Sequence, residues 1–231
     1  MKLLALETST EACSAALYID GVIHECFELA PKIHTRRLLP MIDSLMAEAQ
    51  LRPQQLDAIA FSRGPGSFTG VRIATGVMQG IALGADLPVV PVSTLAALAQ
   101  AYFDTYKLSS AFTALDARIG EVFWGIYHKS PEGYAELYAP ECVIPPAAVA
   151  LPNELAAGVG SGWGAYREQL LSDKPNQLVE FHPDALPRAS AIAKLGVLGY
   201  HTGLAVDVTE ALPVYLRDKV AKTEAERLLS K

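Results

Sequence analysis

Short apolar runs separated by tight polar turns open the chain. Leu3 to Leu6 reads as a strand, Glu7-Thr8-Ser9-Thr10 as a polar turn, and Cys13 to Ile19 as a second strand. The hairpin signal Asp20-Gly21 returns the chain as a third strand, Val22 to Leu29. The period then changes. Leu38, Met41, Ile42, Leu45, Met46 and Ala49 recur at helical spacing, with Thr35 as the candidate cap and Pro40 in the early turns. Asp57 to Ser62 reads as a strand, Val71 to Leu83 as a helix and Val89 to Val92 as a buried strand. Ser93 caps a helix running to about Tyr102.

The second half is less regular. Ala111 to Asp116 and Glu121 to Tyr127 can pair as strands across Arg118-Ile119-Gly120. Pro131, Pro140, Pro145, Pro146 and Pro152 then mark a loop-rich region. Val159-Gly160-Ser161-Gly162 is a glycine turn before a helix from Gly164 to Leu171, and Ala189 to Leu198 is helical. Val214 to Arg217 reads as a late strand, followed by a charged tail with helical content to Leu229. The order β-β-β-α-β-α-β-α predicts an α/β fold with a mixed sheet and helices packed on it. It is the recurring unit of two-lobed actin, sugar-kinase and Hsp70-ATPase-like folds. Residues 1–105 form the first lobe in this reading. Residues 106–231 form a reduced second lobe, whose last segment can return to the first.

Half of the 231 residues are apolar and 19% are charged, enough apolar surface to bury a core. The net charge of −6 argues against unaided binding of nucleic acid, which draws most of its affinity from phosphate neutralisation. Three cysteines without a C-x-x-C fit a reducing compartment, and no apolar run approaches a membrane span. Cytoplasm is the expected location.

Two helices carry more than a one-sided fold requires. Gly76, Gly80 and Gly84 fall four apart on one helix, beside Val77, and each internal glycine costs about 1 kcal/mol against alanine. Either they pack on the chain's own sheet or they let a partner approach closely. Leu38, Leu39, Met41, Ile42, Leu45 and Met46 cover more than one stripe, which suggests one face on the core and one on a neighbour.

Candidate chemistry is sparse. The Gly64-Pro65-Gly66-Ser67-Phe68-Thr69-Gly70 loop is either a tight strand-to-helix turn or an anion cradle, and it is not a Walker A motif. The turn Glu7-Thr8-Ser9 sits where this fold keeps a phosphate loop but lacks the glycine. With Gly64 and Gly66 it forms a weak candidate nucleotide site. Gly160-Ser161-Gly162 is a further candidate phosphate loop. The five histidines show no metal-ligand spacing, and Ser67 has no base in the sequence. No catalytic or metal residue is assigned.

Leu6-Glu7-Thr8-Ser9, His34 to Pro40, Arg63-Gly64-Pro65-Gly66-Ser67-Phe68-Thr69-Gly70-Val71-Arg72 and Pro213 to Arg217 together resemble the TsaB (YeaZ) family. That resemblance implies a non-catalytic partner in threonylcarbamoyl transfer to N6 of the tRNA adenosine beside the anticodon. The catalytic subunit TsaD carries the metal on a His-x-x-x-His pair, and the matching positions here are Ser93 and Ala97. The resemblance further implies binding to TsaD through the first two helices, a third subunit TsaE, tRNA reached through the complex, and homodimers when TsaD is absent. It allows ATP or ADP within the assembly and none of this chain's own. The alternative reading is a metal-independent nucleotide-binding or peptidase-like enzyme on the same fold.

Overall fold

The computed structural model describes residues 1–172 and 178–217. Two five-stranded sheets organise it. The first holds β1 (Lys2–Glu7), β2 (Ala12–Ile19), β3 (Val22–Leu29), β4 (Ala58–Ser62) and β5 (Val89–Val92) in the order β3-β2-β1-β4-β5. β1, β2 and β3 pair antiparallel, while β4 and β5 join β1 in parallel. The second sheet holds β6 (Ser110–Arg118), β7 (Glu121–Lys129), β8 (Ala135–Ile144), β9 (Ala156–Val159) and β10 (Leu178–His182). Its order, β8-β7-β6-β9-β10, repeats the first sheet strand for strand, with the same antiparallel and parallel pairings. The chain is a duplicated two-lobed α/β fold of the actin and sugar-kinase kind.

The helices complete the layers. α1 (His34–Glu48) and α2 (Phe68–Ala85) cover one face of the first sheet, where Leu38, Ile42, Leu45, Ala74 and Met78 meet Leu4, Leu6, Ile59 and Phe61. The other face is covered by α5 (Ala189–His201), the last helix of the second half. Gly196 lets α5 approach closely, because a Cβ there would collide with Ala60 and touch Leu3. α3 (Thr94–Thr105) makes the reciprocal move and packs Leu98, Tyr102 and Phe103 on the second sheet. α4 (Ser161–Leu170) seats Trp163 on that sheet's far side. The connection that would match α1 in the second lobe is only a 3-10 turn at Pro146–Ala148.

Several expectations change. α1 starts at His34 after Ile33, so Thr35 is not its cap. Instead His34 is buried and donates from Nε2 to the Ala12 carbonyl at 3.1 Å. Pro40 therefore lies in the second turn, on the exposed side of the helix. α2 begins three residues before the expected Val71, since Ser67 caps it by accepting from Gly70 N. The proline-marked region contains β8, and β9 and β10 were not anticipated. Val214 to Arg217 is not a strand, although Val214 N donates to the Arg63 carbonyl at 2.8 Å. The expected helical tail lies outside the described residues.

Candidate partner-docking site

The Arg63–Arg72 segment turns β4 into α2, and its glycines are needed for packing. A Cβ on Gly66 would stand 2.5 Å from the Ser9 carbonyl oxygen, and one on Gly64 2.9 Å from the Val214 carbonyl oxygen. Gly64 also has φ +101°, which glycine alone adopts without strain. Ser67 N donates to Ser9 O at 2.7 Å, and Thr8 Oγ1 donates to Gly70 O at 2.7 Å. The Glu7-Thr8-Ser9 turn and this loop thus fill each other's space. Glu7, Thr8 and Ser9 are buried, as is Gly64, with Gly66 half-buried. The five residues of the candidate nucleotide site are thus brought together as a closely packed strand-to-helix turn. Gly160 and Gly162 are likewise pressed against Ala114.

Glu7 lies at the bottom of this junction. One carboxylate oxygen accepts from Ser9 N at 2.5 Å, and the other has no partner among the described residues. Burial pushes its pKa from 4.5 up to about 7, against a smaller lowering influence of the nearby Ser9 and Ser62 groups.

The two candidate interface helices separate cleanly. Leu38, Met41, Ile42, Leu45 and Met46 of α1 are all at most 7% exposed and belong to the chain's own core. The expectation of a second, partner-facing stripe made of these residues is corrected. One wide stripe faces the sheet, the hairpin and α2 together, and only Leu39 of the set is exposed. On α2 the outcome is opposite. Val71, Ala74, Met78 and Ala82 are buried, while Gly76, Gly80 and Gly84 are exposed, with no atom within 4 Å of an added Cβ. The chain's own sheet therefore does not use the glycine stripe. Val77 is half-buried and packs against the core edge, and Leu83 is 75% exposed. Phe68 at the head of this helix is also exposed, and sequence reasoning left it out of the face.

At the end of β5, Ser93 caps α3 by accepting from Leu95 N and Ala96 N. It also donates to Glu141, as does Tyr127, in a knot that joins α3 to the second sheet. Burial first, then the Glu141 carboxylate, holds the Tyr127 phenol well above its ordinary pKa. Ala97 is fully buried. Among the described residues no three His, Cys, Asp or Glu side chains gather as metal ligands, and no helix is long and apolar enough to cross a membrane.

The chain as a whole is similar to known proteins. The family TsaD, tRNA N6-adenosine threonylcarbamoyltransferase, matches residues 21–225. A Haemophilus influenzae protein, tRNA threonylcarbamoyladenosine biosynthesis protein TsaB, is 40% identical over 229 residues, covering 95% of each chain. The chain belongs to the TsaB family. The Escherichia coli TsaB is 38% identical over 225 residues, 96% of each chain. The solved structure of YeaZ from Pseudomonas aeruginosa aligns with a TM-score of 0.87 at 43% identity, over 93% of this chain and 99% of that one. The likeness to these relatives runs along nearly the whole chain and so spans both sheets.

Proposed function

We propose that the chain acts in tRNA threonylcarbamoyladenosine biosynthesis as a non-catalytic subunit that docks the catalytic relative TsaD along α2. The observation that carries this reading is the open stripe Gly76, Gly80 and Gly84. Three glycines in an 18-residue helix weaken it by roughly 1 kcal/mol each relative to alanine. Among the described residues no packing contact repays that cost. Close approach of a second helix does, since backbones without side chains between them can touch.

The site residues agree with a supporting role. Ser93 and Ala97, which match the metal-holding histidine pair of TsaD, cap a helix and fill the core here. A serine already capping and donating to Glu141, and a methyl group, offer no ligand set. Chemistry and metal then come from TsaD, TsaE joins the assembly, and tRNA is reached through the complex in the cytoplasm. Alone, the same face pairs with a second copy. Any nucleotide belongs to the assembly in this reading, which the burial of Glu7, Thr8, Ser9 and Gly64 supports.

Reconstitution tests the reading. Threonylcarbamoyl transfer to tRNA is measured with TsaD, TsaE and the enzyme that makes the threonylcarbamoyl donor, with and without this chain. Transfer is expected only when the chain is present. Gly80→Leu is expected to keep its circular dichroism spectrum and lose both association with TsaD and support of transfer. Full transfer by the mixture lacking this chain would refute the proposal.

A further inference from the structure

The sole charged side chain on α2 is Arg72, and its position is unusual. It lies in the second turn from the helix start, near the end where the backbone dipole disfavours a cation. It also heads the stripe of the open glycines, since 72, 76, 80 and 84 are spaced by four. The helix gains nothing from a cation there, so another reason must hold it.

Arg72 is held in a built setting. Its guanidinium carbon lies 3.7 Å from the centre of the Phe68 ring, and its Nε donates to the Tyr215 hydroxyl at 3.0 Å. The two rings stand 5.6 Å apart and are 56% and 46% exposed. Tyr215 arrives on a segment from the second half that lies along α2. That segment is fixed by Gln79 Nε2 donating to Ala211 O at 3.3 Å and by Val214 N donating to Arg63 O at 2.8 Å. Arg72 is exposed, its Nε is engaged, and no acid of the described residues bonds its two terminal amino groups. Acids are plentiful in a chain of net charge −6, yet those in ion pairs go elsewhere: Glu25 to Arg188, Glu28 to Arg37 and Glu121 to Arg217.

We infer that Arg72, flanked by Phe68 and Tyr215, is the polar anchor of the docking face and receives a carboxylate side chain of the protein that docks there. This rests on the docking reading given above and deepens it. A guanidinium fork matches a carboxylate in two parallel hydrogen bonds, which lysine cannot reproduce. Aromatic residues and arginine are also the types that dominate binding energy at protein interfaces. The glycines supply close approach without direction, and Arg72 supplies the register. Tyr215 is a positioning residue that fixes Nε and so aims the fork.

Calorimetry of this chain with its catalytic relative tests the inference. Arg72→Ala is expected to weaken association about tenfold or more, with an unchanged unfolding midpoint. Arg72→Lys should recover little of it. Tyr215→Phe, which keeps the ring and removes the hydroxyl, should weaken it by about threefold, and added salt should weaken the parent more than Arg72→Ala. Gly80→Leu runs alongside. If Gly80→Leu abolishes association while Arg72→Ala leaves it intact, the anchor is wrong and the docking face stands. If both variants associate normally, face and anchor fall together. If Arg72→Ala spares assembly but weakens tRNA binding by the assembled complex, the fork takes phosphate and the carboxylate assignment is overturned.

Discussion

Helices α1 and α2 share one face of the first sheet, and both are rich in apolar and small residues, yet they use them in opposite ways. α1 puts every large apolar residue but Leu39 into the core. α2 buries Val71, Ala74, Met78 and Ala82 and leaves three exposed glycines that face none of the other described residues. The difference teaches which signal reports a partner. A surplus of leucines and methionines only widened the footprint of α1, because α1 sits in a corner bounded by the sheet, the β2–β3 hairpin and α2. Glycines whose added Cβ would meet no other described residue are the stronger sign, since they cost stability that no contact among those residues returns.

The largest effect should come from breaking the α1 side. Leu45 is 3% exposed, so Leu45→Glu would bury a charge with no cation beside it. A loss of about 4–5 kcal/mol is expected, a large share of a domain's stability. Leu39→Glu, six residues earlier and 49% exposed, should change stability by less than about 0.5 kcal/mol. Urea unfolding of the two variants measures this directly. Near-equal midpoints would mean that α1 is not seated as described.

The next effect concerns the footing of α2. Glu7 supports the turn that clamps Ser67 and Gly70, and its pKa rises from 4.5 to about 7 on folding. The folded state therefore holds the proton more tightly than the unfolded chain. Stability from this group is fully present below about pH 4.5, falls as pH rises towards 7, and levels off above it. The difference amounts to roughly 3 kcal/mol. Glu7→Gln cannot ionise, so its stability should exceed that of the parent at pH 8 and match it more closely at pH 5. Chemical unfolding at both values checks it. A parent-minus-variant difference that does not change with pH would show that Glu7 ionises freely.

Much of the first lobe was legible, because its strands are buried apolar runs between turn residues and each has a single plausible partner. The Arg63–Arg72 turn also announced itself by glycine content. The second lobe hid more. β8 carries Pro140, which reads as a loop in a central strand, but β8 is an edge strand and Pro140 sits at its register shift. β9 is Ala-Ala-Gly-Val, whose small residues carry no strand pattern and are buried because Trp163 and Phe181 crowd over Gly158. The proposed docking face was half visible. Glycine spacing can be read along a sequence, but which side of α2 the glycines occupy depends on how α2 sits on the sheet. Tyr215 lies 143 residues from Arg72, and no local pattern joins them.

The smallest effect is the sharpest on the glycine face itself. Gly80 meets nothing within 4 Å, so Gly80→Ala adds a methyl group in open space. In the chain kept dilute enough not to pair with itself, it should stabilise by about 1 kcal/mol, the difference in helix propensity. Gly66→Ala should do the reverse, because its Cβ would press on the Ser9 carbonyl oxygen and neither backbone can yield. If the stripe exists for close approach, the same Gly80→Ala methyl group should weaken association with the catalytic relative while the chain alone melts higher. Stability and binding then move in opposite directions for one added carbon. A variant that melts higher and binds as well as the parent would mean that the partner does not approach α2 at Gly80.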